Sequence, residues 1–234
     1  MIFRVIHTIS LYLLTVASFF AGTAIALCIA FFSKNKIRTF QAAASRWARF
    51  LMFFSGIKVE ARGLENIPRD KPAILVSNHQ GAADIPVLLA NLPVRFRFAV
   101  KKELFRLPFF GWYLRQAGYF SIDREVVLSA YKTLETIVEI LKAGESVIIF
   151  PEGTRTRDGS LGKFKRGSLM AALKSGAPVV PIAIAGSYDI QPRGTYLINP
   201  ATVKLSVGKP IYIRHEKEYD AKVEEVRGVI AKML

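Results

Sequence analysis

Two long apolar stretches open the chain, and short alternating segments follow. Val5 to Phe32 is almost continuously apolar, broken by His7 and a few hydroxyls. As a helix it would be roughly 40 Å long, enough to cross a bilayer. Ile37 to Phe54 has helical periodicity: Arg38, Ser45, Arg46 and Arg49 fall on one side, and Phe40, Ala43, Trp47, Phe50, Leu51 and Phe54 on the other. From Ser55-Gly56 onward the pattern changes. Apolar or alternating runs predict strands at Ile57–Ala61, Ala73–Ser77, Phe96–Val100, Tyr119–Ile122, Ser146–Phe150, Val179–Ile184, Thr202–Val207 and Ile211–Ile213. Amphipathic segments predict helices at Asp84–Ala90, Phe109–Gln116, Val126–Lys142, Gly167–Lys174 and Glu216–Met233. Strands alternating with helices imply an α/β fold, a mixed twisted sheet with flanking helices. The last strands have no predicted helix between them, so part of the sheet should be antiparallel. The expected division is an N-terminal two-helix membrane hairpin over 1–56 and a catalytic domain over 57–234.

The short Ser33–Lys36 link makes the first two helices antiparallel neighbours, with small residues (Ala17, Ala21, Gly22 and Ala26 against Ala42–Ala44) allowing close approach. A fully spanning first helix would then draw Arg46 and Arg49 into hydrocarbon, which is costly. A hairpin inserted in one leaflet avoids that cost; a true span is the alternative. A cleaved signal peptide fits poorly, because the apolar run continues past Ala24-Ile25-Ala26 to Phe32. Basic residues flank both ends of the run, so charge gives no orientation.

The chain has 234 residues, enough for one domain with a sizeable core and an appendage, and a formal net charge of +15. Such a charge points to an anionic partner: an acidic membrane surface, a phosphorylated small molecule or nucleic acid. No Cys/His finger, basic low-complexity tail or repeat is present, and no nucleic-acid partner is expected. The single cysteine, Cys28, excludes an internal disulfide. Three histidines without cysteine partners give no zinc pattern, and no Walker or dinucleotide-type glycine loop occurs. No metal or cofactor is expected.

The densest chemical signal is Asn-His-Gln-Gly-Ala-Ala-Asp at 78–84, directly after the apolar run 73–76. A histidine acting as a base needs a partner to fix its tautomer and stabilise its cation. His79 and Asp84 would point about 140° apart on a continuous helix, so they can meet only if the chain turns. Gly81 allows that turn, and Pro86 suits the first turn of a helix beginning near Asp84. Alone, the pair could equally be an N-cap beside an ordinary loop histidine.

Three further blocks follow in order: Gly-Tyr-Phe-Ser-Ile-Asp-Arg at 118–124, Phe-Pro-Glu-Gly-Thr-Arg at 150–155, and Val-Val-Pro-Ile-Ala-Ile at 179–184. In this order and spacing, from about Lys71 to Ser187, the chain resembles the glycerolipid acyltransferase family, and within it the bacterial lysophosphatidate acyltransferases. The resemblance implies transfer of a fatty acyl group from acyl-CoA or acyl carrier protein to the sn-2 hydroxyl of 1-acylglycerol 3-phosphate (lysophosphatidic acid), at the cytoplasmic face of the cell membrane. His79 would be the base and Asp84 its orienting carboxylate. Arg124 and Arg155 are the family's positions for the phosphate, a task suited to the planar arginine fork. Gly153 lets backbone approach the ligand, with Thr154 in the same substrate-binding loop; Glu152 would orient Arg155 or meet the acceptor glycerol. Lys101, Lys102, Lys165 and Arg166 could add phosphate or carrier contacts. With no Gly-x-Ser-x-Gly elbow and Cys28 in the apolar segment, the residues favour direct attack over an acyl-enzyme. An oxyanion hole would use backbone N–H groups near Gly81 or Gly153. Three rivals stay open: an acyltransferase acting on glycerol 3-phosphate or another lysolipid, a non-catalytic protein that binds anionic membranes, and a thioester hydrolase, in which the same base would activate water but the phosphate-binding arginines would lack a purpose.

Overall fold

The computed structural model describes residues 2–122, 127–192 and 194–234, with backbone alone at 127–130. Helix α1 (Ile2–Phe32) and helix α2 (Lys36–Ser55) form an antiparallel pair. Asn35 caps α2 through its side-chain oxygen, and Gly56 ends it in the left-handed conformation. α1 is, among the described residues, the one helix long and apolar enough to cross a membrane. Most of its side chains face outward, and only Thr8, Leu11, Ala26 and Ala30 are buried.

The strands are β1 (Lys58–Arg62), β2 (Ile74–Ser77), β3 (Phe96–Lys101), β4 (Phe120–Ile122), β5 (Ser146–Ile149), β6 (Val179–Ala185) and β7 (Thr202–Val207). They form one sheet in the order β1-β7-β6-β2-β5-β3-β4. All pairings are parallel except β6 with β7. The central strands β2, β5 and β6 are apolar apart from Ser77 and Ser146, because both faces are covered. On one face Leu75, Ile148, Val180, Ile182 and Ile184 pack with α2, α3 (Asp84–Asn91) and α5 (Phe110–Gln116). On the other, Ile74, Val76, Val147, Val179 and Ala183 pack with α6 (Val127–Lys142), α7 (Met170–Ser175) and α9 (Tyr219–Met233).

Helix α2 belongs to this core as much as to the N-terminal pair. Phe40, Ala44, Ala48 and Met52 are buried at four-residue spacing over the sheet, whereas Phe50, Phe53 and Phe54 are exposed. The face expected to be apolar is therefore split between a core side and an outward aromatic side. α1 is tied to the domain beyond α2: the Ile198 N–H donates to Thr8 Oγ1 at 3.1 Å, and the Tyr12 hydroxyl donates to the Tyr196 carbonyl at 3.0 Å. Phe19 stacks edgewise on Tyr113 and tilts against Phe110.

Several expected boundaries move for local reasons. Phe109 has φ 58°, which no helix interior permits, so α5 starts one residue later. Gly167 has φ 85°, and the helix expected from there begins at Met170. The segment Ile211–Ile213 makes a single bridge, Val179 with Ile211, rather than a strand; Pro210 just before it has no N–H to extend the ladder. Glu216–Glu218 is a 3₁₀ turn leading into α9. Two short helices had no counterpart in the pattern: α4 (Lys102–Arg106) and α8 (Ser187–Ile190).

Candidate active site

The three central parallel strands each deliver one part of the site at their carboxyl ends, the usual place in such sheets. Past β2, Asn78 donates to the Ile184 carbonyl and accepts from the Ile184 N–H, both at 2.8 Å, which fastens the strand end to β6. His79 follows, with its ring stacked on Phe150 at a centroid distance of 4.1 Å. Its Nδ1 lies 2.6 Å from Asp84 Oδ2. The same oxygen accepts the Gln80 and Gly81 N–H groups at 2.8 and 3.0 Å.

The turn between the pair works differently from expectation. Gly81 is not among the residues with positive φ. It is needed because a Cβ there would sit 2.8 Å from the Ser187 carbonyl oxygen. That approach brings in Ser187, whose hydroxyl donates to Asp84 Oδ1 at 2.5 Å. Asp84 is thus fully buried with both oxygens engaged. A buried carboxylate is tolerated when its lone pairs are satisfied in this way. Ser187 escaped the sequence reading; its one signal was a hydroxyl residue at the carboxyl end of a wholly apolar strand, the position His79 holds on β2.

Past β5, Glu152 is buried and grips two backbones: Oε1 accepts the His79 N–H and Oε2 the Gly162 N–H, each at 2.8 Å. The Thr156 N–H donates to the His79 carbonyl at 2.9 Å. Both backbone polar groups of the histidine are therefore held by the loop that carries Arg155. Asp158 stiffens that loop, accepting from the Ser160 hydroxyl, the Ser160 N–H and the Thr156 hydroxyl. These bonds, Ser160's first, hold its carboxyl down at a pKa of about 2. Gly153, at φ 73°, lies under the Lys165 side chain, where a Cβ would come 2.6 Å from Lys165 Cε.

His79, Thr154 and Arg155 line a cavity of about 650 Å³. The cavity continues away from them between Ile85, Leu89, Phe98, Leu104, Phe110 and Tyr119, with Ala44 and Trp47 of α2 on its wall. Burial, helped by the neighbouring Tyr113, pushes the Tyr119 phenol well above its ordinary pKa, so this wall carries no charge there. Arg155 is exposed at the cavity edge, and Lys101 lines it too, 3.6 Å from Glu103. Lys102 and Lys165 are exposed and do not line it; Arg166 is at the surface, 3.6 Å from Asp220. Arg124 lies outside the described residues. The Gln80, Gly81 and Gly153 N–H groups are all spent inside the protein; of the residues after Gly153 that line the cavity, Thr154 and Arg155 have N–H groups with no acceptor among the described residues. Among the described residues, no cluster of His, Cys, Asp and Glu could hold a metal ion.

This fold and site define the class. The acyltransferase family pattern matches residues 58–185, over half of the chain, and the chain belongs to that family. Among individual relatives, the 1-acyl-sn-glycerol-3-phosphate acyltransferase of Pseudomonas aeruginosa is 36% identical over 219 residues, 91% of this chain and 83% of that one. The chloroplastic 1-acyl-sn-glycerol-3-phosphate acyltransferase of Arabidopsis thaliana is 38% identical over 193 residues, 82% of this chain. The chain spans about half the length of that plant relative. The crystal structure of the 1-acyl-sn-glycerophosphate (LPA) acyltransferase PlsC from Thermotoga maritima superposes with a TM-score of 0.85 at 30% identity, covering 99% of this chain and 94% of that one.

Proposed function

We propose that the protein transfers a fatty acyl group from a thioester, carried by coenzyme A or acyl carrier protein, to the sn-2 hydroxyl of 1-acylglycerol 3-phosphate, giving phosphatidic acid. The observation that carries this reading is the buried His79–Asp84 pair opening onto a cavity with Arg155 at its edge and an apolar extension behind. With the carboxylate at Nδ1, the favoured tautomer keeps its proton there and leaves the Nε2 lone pair as the base. Nε2 takes the proton of the acceptor hydroxyl as that oxygen attacks the thioester carbonyl. The new C–O bond forms, the tetrahedral intermediate collapses with loss of the C–S bond, and the leaving thiolate recovers the proton from His79. A positioned base of this kind contributes about 10²–10⁴-fold. Free N–H groups at Thr154 and Arg155 suit the oxyanion. Direct attack is supported by the placement of two candidate nucleophiles: Ser187 already donates to Asp84, and Cys28 is exposed on α1, outside the cavity lining. The Arg155 guanidinium meets the acceptor phosphate, and the apolar extension takes an acyl chain. Relatives named as 1-acyl-sn-glycerol-3-phosphate acyltransferases support the acceptor.

We also propose that α1 and α2 hold the protein in one leaflet, at the cytoplasmic face of the cell membrane. The support is geometric. From Thr8 to Phe20, about 18 Å of helix, α1 is fastened to Ile198, Tyr196, Phe109, Phe110 and Tyr113. A crossing α1 would carry these segments into hydrocarbon with it, and the irregular backbone around Tyr196 and Ile198 has no place there.

The test is an acyl-transfer assay on the full chain with acyl-CoA and acyl carrier protein donors and with 1-acylglycerol 3-phosphate, glycerol 3-phosphate and monoacylglycerol as acceptors. The expected result is turnover with the first acceptor, abolished in His79→Ala. Arg155→Ala should weaken use of the phosphorylated acceptor but leave monoacylglycerol unchanged. Full turnover by the His79 variant removes the mechanism; preference for glycerol 3-phosphate removes the acceptor.

A further inference from the structure

A second cavity, of about 500 Å³, lies on the flank of α2. It shares no lining residue with the cavity that contains His79. Four chain segments converge on it, and three of them bring cations: Arg38, Arg46 and Arg49 from α2, Arg69 and Lys71 from the segment entering β2, and Arg95 from the loop entering β3. Against these six stand two acids, Asp70 and Glu145. Glu145 is already neutralised by Arg97, which holds it through two bonds of 2.7 and 2.5 Å. The cavity therefore keeps a large uncompensated positive charge in a concave, mostly polar space.

The cations are held ready rather than paired. The Nε–H of Arg49 donates to the Ala90 carbonyl at 2.8 Å, which fixes its fork, and Lys71 Nζ donates to the Tyr212 hydroxyl at 3.1 Å. Among the described residues, the side chains of Arg38, Arg46, Arg69 and Arg95 make no hydrogen bond or close ion pair, although Arg38 adds a weaker electrostatic pull on Glu145. A basic face meant only to lie on a flat charged surface needs no concavity. Here the α2 arginines form one wall, and the facing wall is equally basic. Guanidinium groups converging from several sides suit a small anion with several oxygens, because each planar fork can take two of them. The space is too large for one phosphate alone and fits a phosphate with the group that bears it, or two linked phosphates.

We propose that this cavity is a second anion site, separate from the catalytic one, that binds a phosphate-bearing ligand: either the headgroup of an acidic phospholipid or a soluble polyphosphate.

The test titrates sodium pyrophosphate into the full chain in neutral detergent, by calorimetry. An Arg155→Ala background keeps the proposed acceptor site from contributing. Saturable binding at one site is expected. Adding Arg69→Gln and Arg95→Gln should lower affinity about tenfold or more, the loss expected of charge-assisted bonds. A control pair, Lys217→Gln and Lys232→Gln, removes the same charge from exposed positions away from the cavity and should change affinity less than twofold. Equal losses in the two pairs, or no saturable binding, would overturn the site. Partition onto phosphatidylcholine vesicles containing phosphatidylglycerol distinguishes the sources. If the Arg69/Arg95 pair lowers partition well beyond the control pair, the ligand is a lipid headgroup. If partition is equal in both pairs while pyrophosphate binding falls in the first, the ligand is soluble.

Discussion

Glu152→Gln is the sharpest single perturbation of the proposed catalytic site. The substitution keeps the shape of the side chain and removes only its charge and one acceptor. In the native structure the two carboxylate oxygens accept one N–H each, from His79 and from Gly162. A glutamine offers one oxygen and one NH₂, so in either orientation one buried N–H faces another donor. Losing a charge-assisted bond in this way costs about 1.5–3 kcal/mol. At roughly 2–4 °C per kcal/mol for a chain of this size, the melting temperature should fall by about 3–12 °C. The catalytic effect is larger if glutamine turns its NH₂ toward His79, since a displacement near 1 Å can cost about a hundredfold. The assay pairs fluorescence-monitored melting in neutral detergent with kcat and KM for the acceptor. The expected result is a lower melting temperature and a lower kcat with little change in KM. A variant with wild-type melting and kcat but a raised acceptor KM would refute the clamp, and would place Glu152 on the substrate instead.

Ser187→Ala strips Asp84 Oδ1 of its hydroxyl donor while leaving three bonds at Oδ2; kcat should fall about 10–100-fold with an unchanged fold by circular dichroism, and wild-type kcat would dismiss Ser187 as a positioning residue. The Arg97 bonds hold the Glu145 carboxyl below its ordinary pKa, so the stability this pair confers is present above that ordinary value and is lost as pH falls through the lowered one. Melting of Arg97→Gln should therefore approach that of the native protein at low pH and diverge from it at neutral pH. Removing 1–32 should weaken flotation with acidic vesicles yet leave a folded domain; removing 1–56 also strips Phe40, Ala44, Ala48 and Met52 from the core and should lower thermal stability sharply, so equal melting of the two truncations would contradict the packing role of α2.

Much of this architecture was legible because burial on both faces writes itself as uninterrupted apolar sequence. Ile74–Val76 and Val179–Ile184 are strands for that reason, and β7 has its expected bounds. His79 and Asp84 could be paired because a strand end, a glycine and a helix start lie within a few residues. Elements held by a few specific bonds left no such trace. Lys102–Arg106 is a five-residue, largely exposed helix with no periodicity to detect. Ser187 and Gly162 reach the site only through tertiary approach, one against Gly81 and the other against Glu152. The role of Glu152 was hidden because its partners are backbone groups, which any residue type supplies. The α2 arginines read as one face of an amphipathic helix, since the residues opposite them come from segments far along the chain.

The bonds that complete the proposed catalytic site would also set the order in which the protein becomes active. Asp84 waits for a residue 103 positions later, and Asn78 for one 106 positions later. Synthesis runs from the N-terminus, so α1 leaves the ribosome while β6 and α8 have yet to be made. The apolar helix can engage lipid when the histidine still lacks both Glu152 and the Ser187 hydroxyl. On the function proposed above, the nascent chain would reach lipid before it could turn over substrate, and a ribosome that stops short of β6 would leave behind an inert anchor rather than a misplaced catalyst.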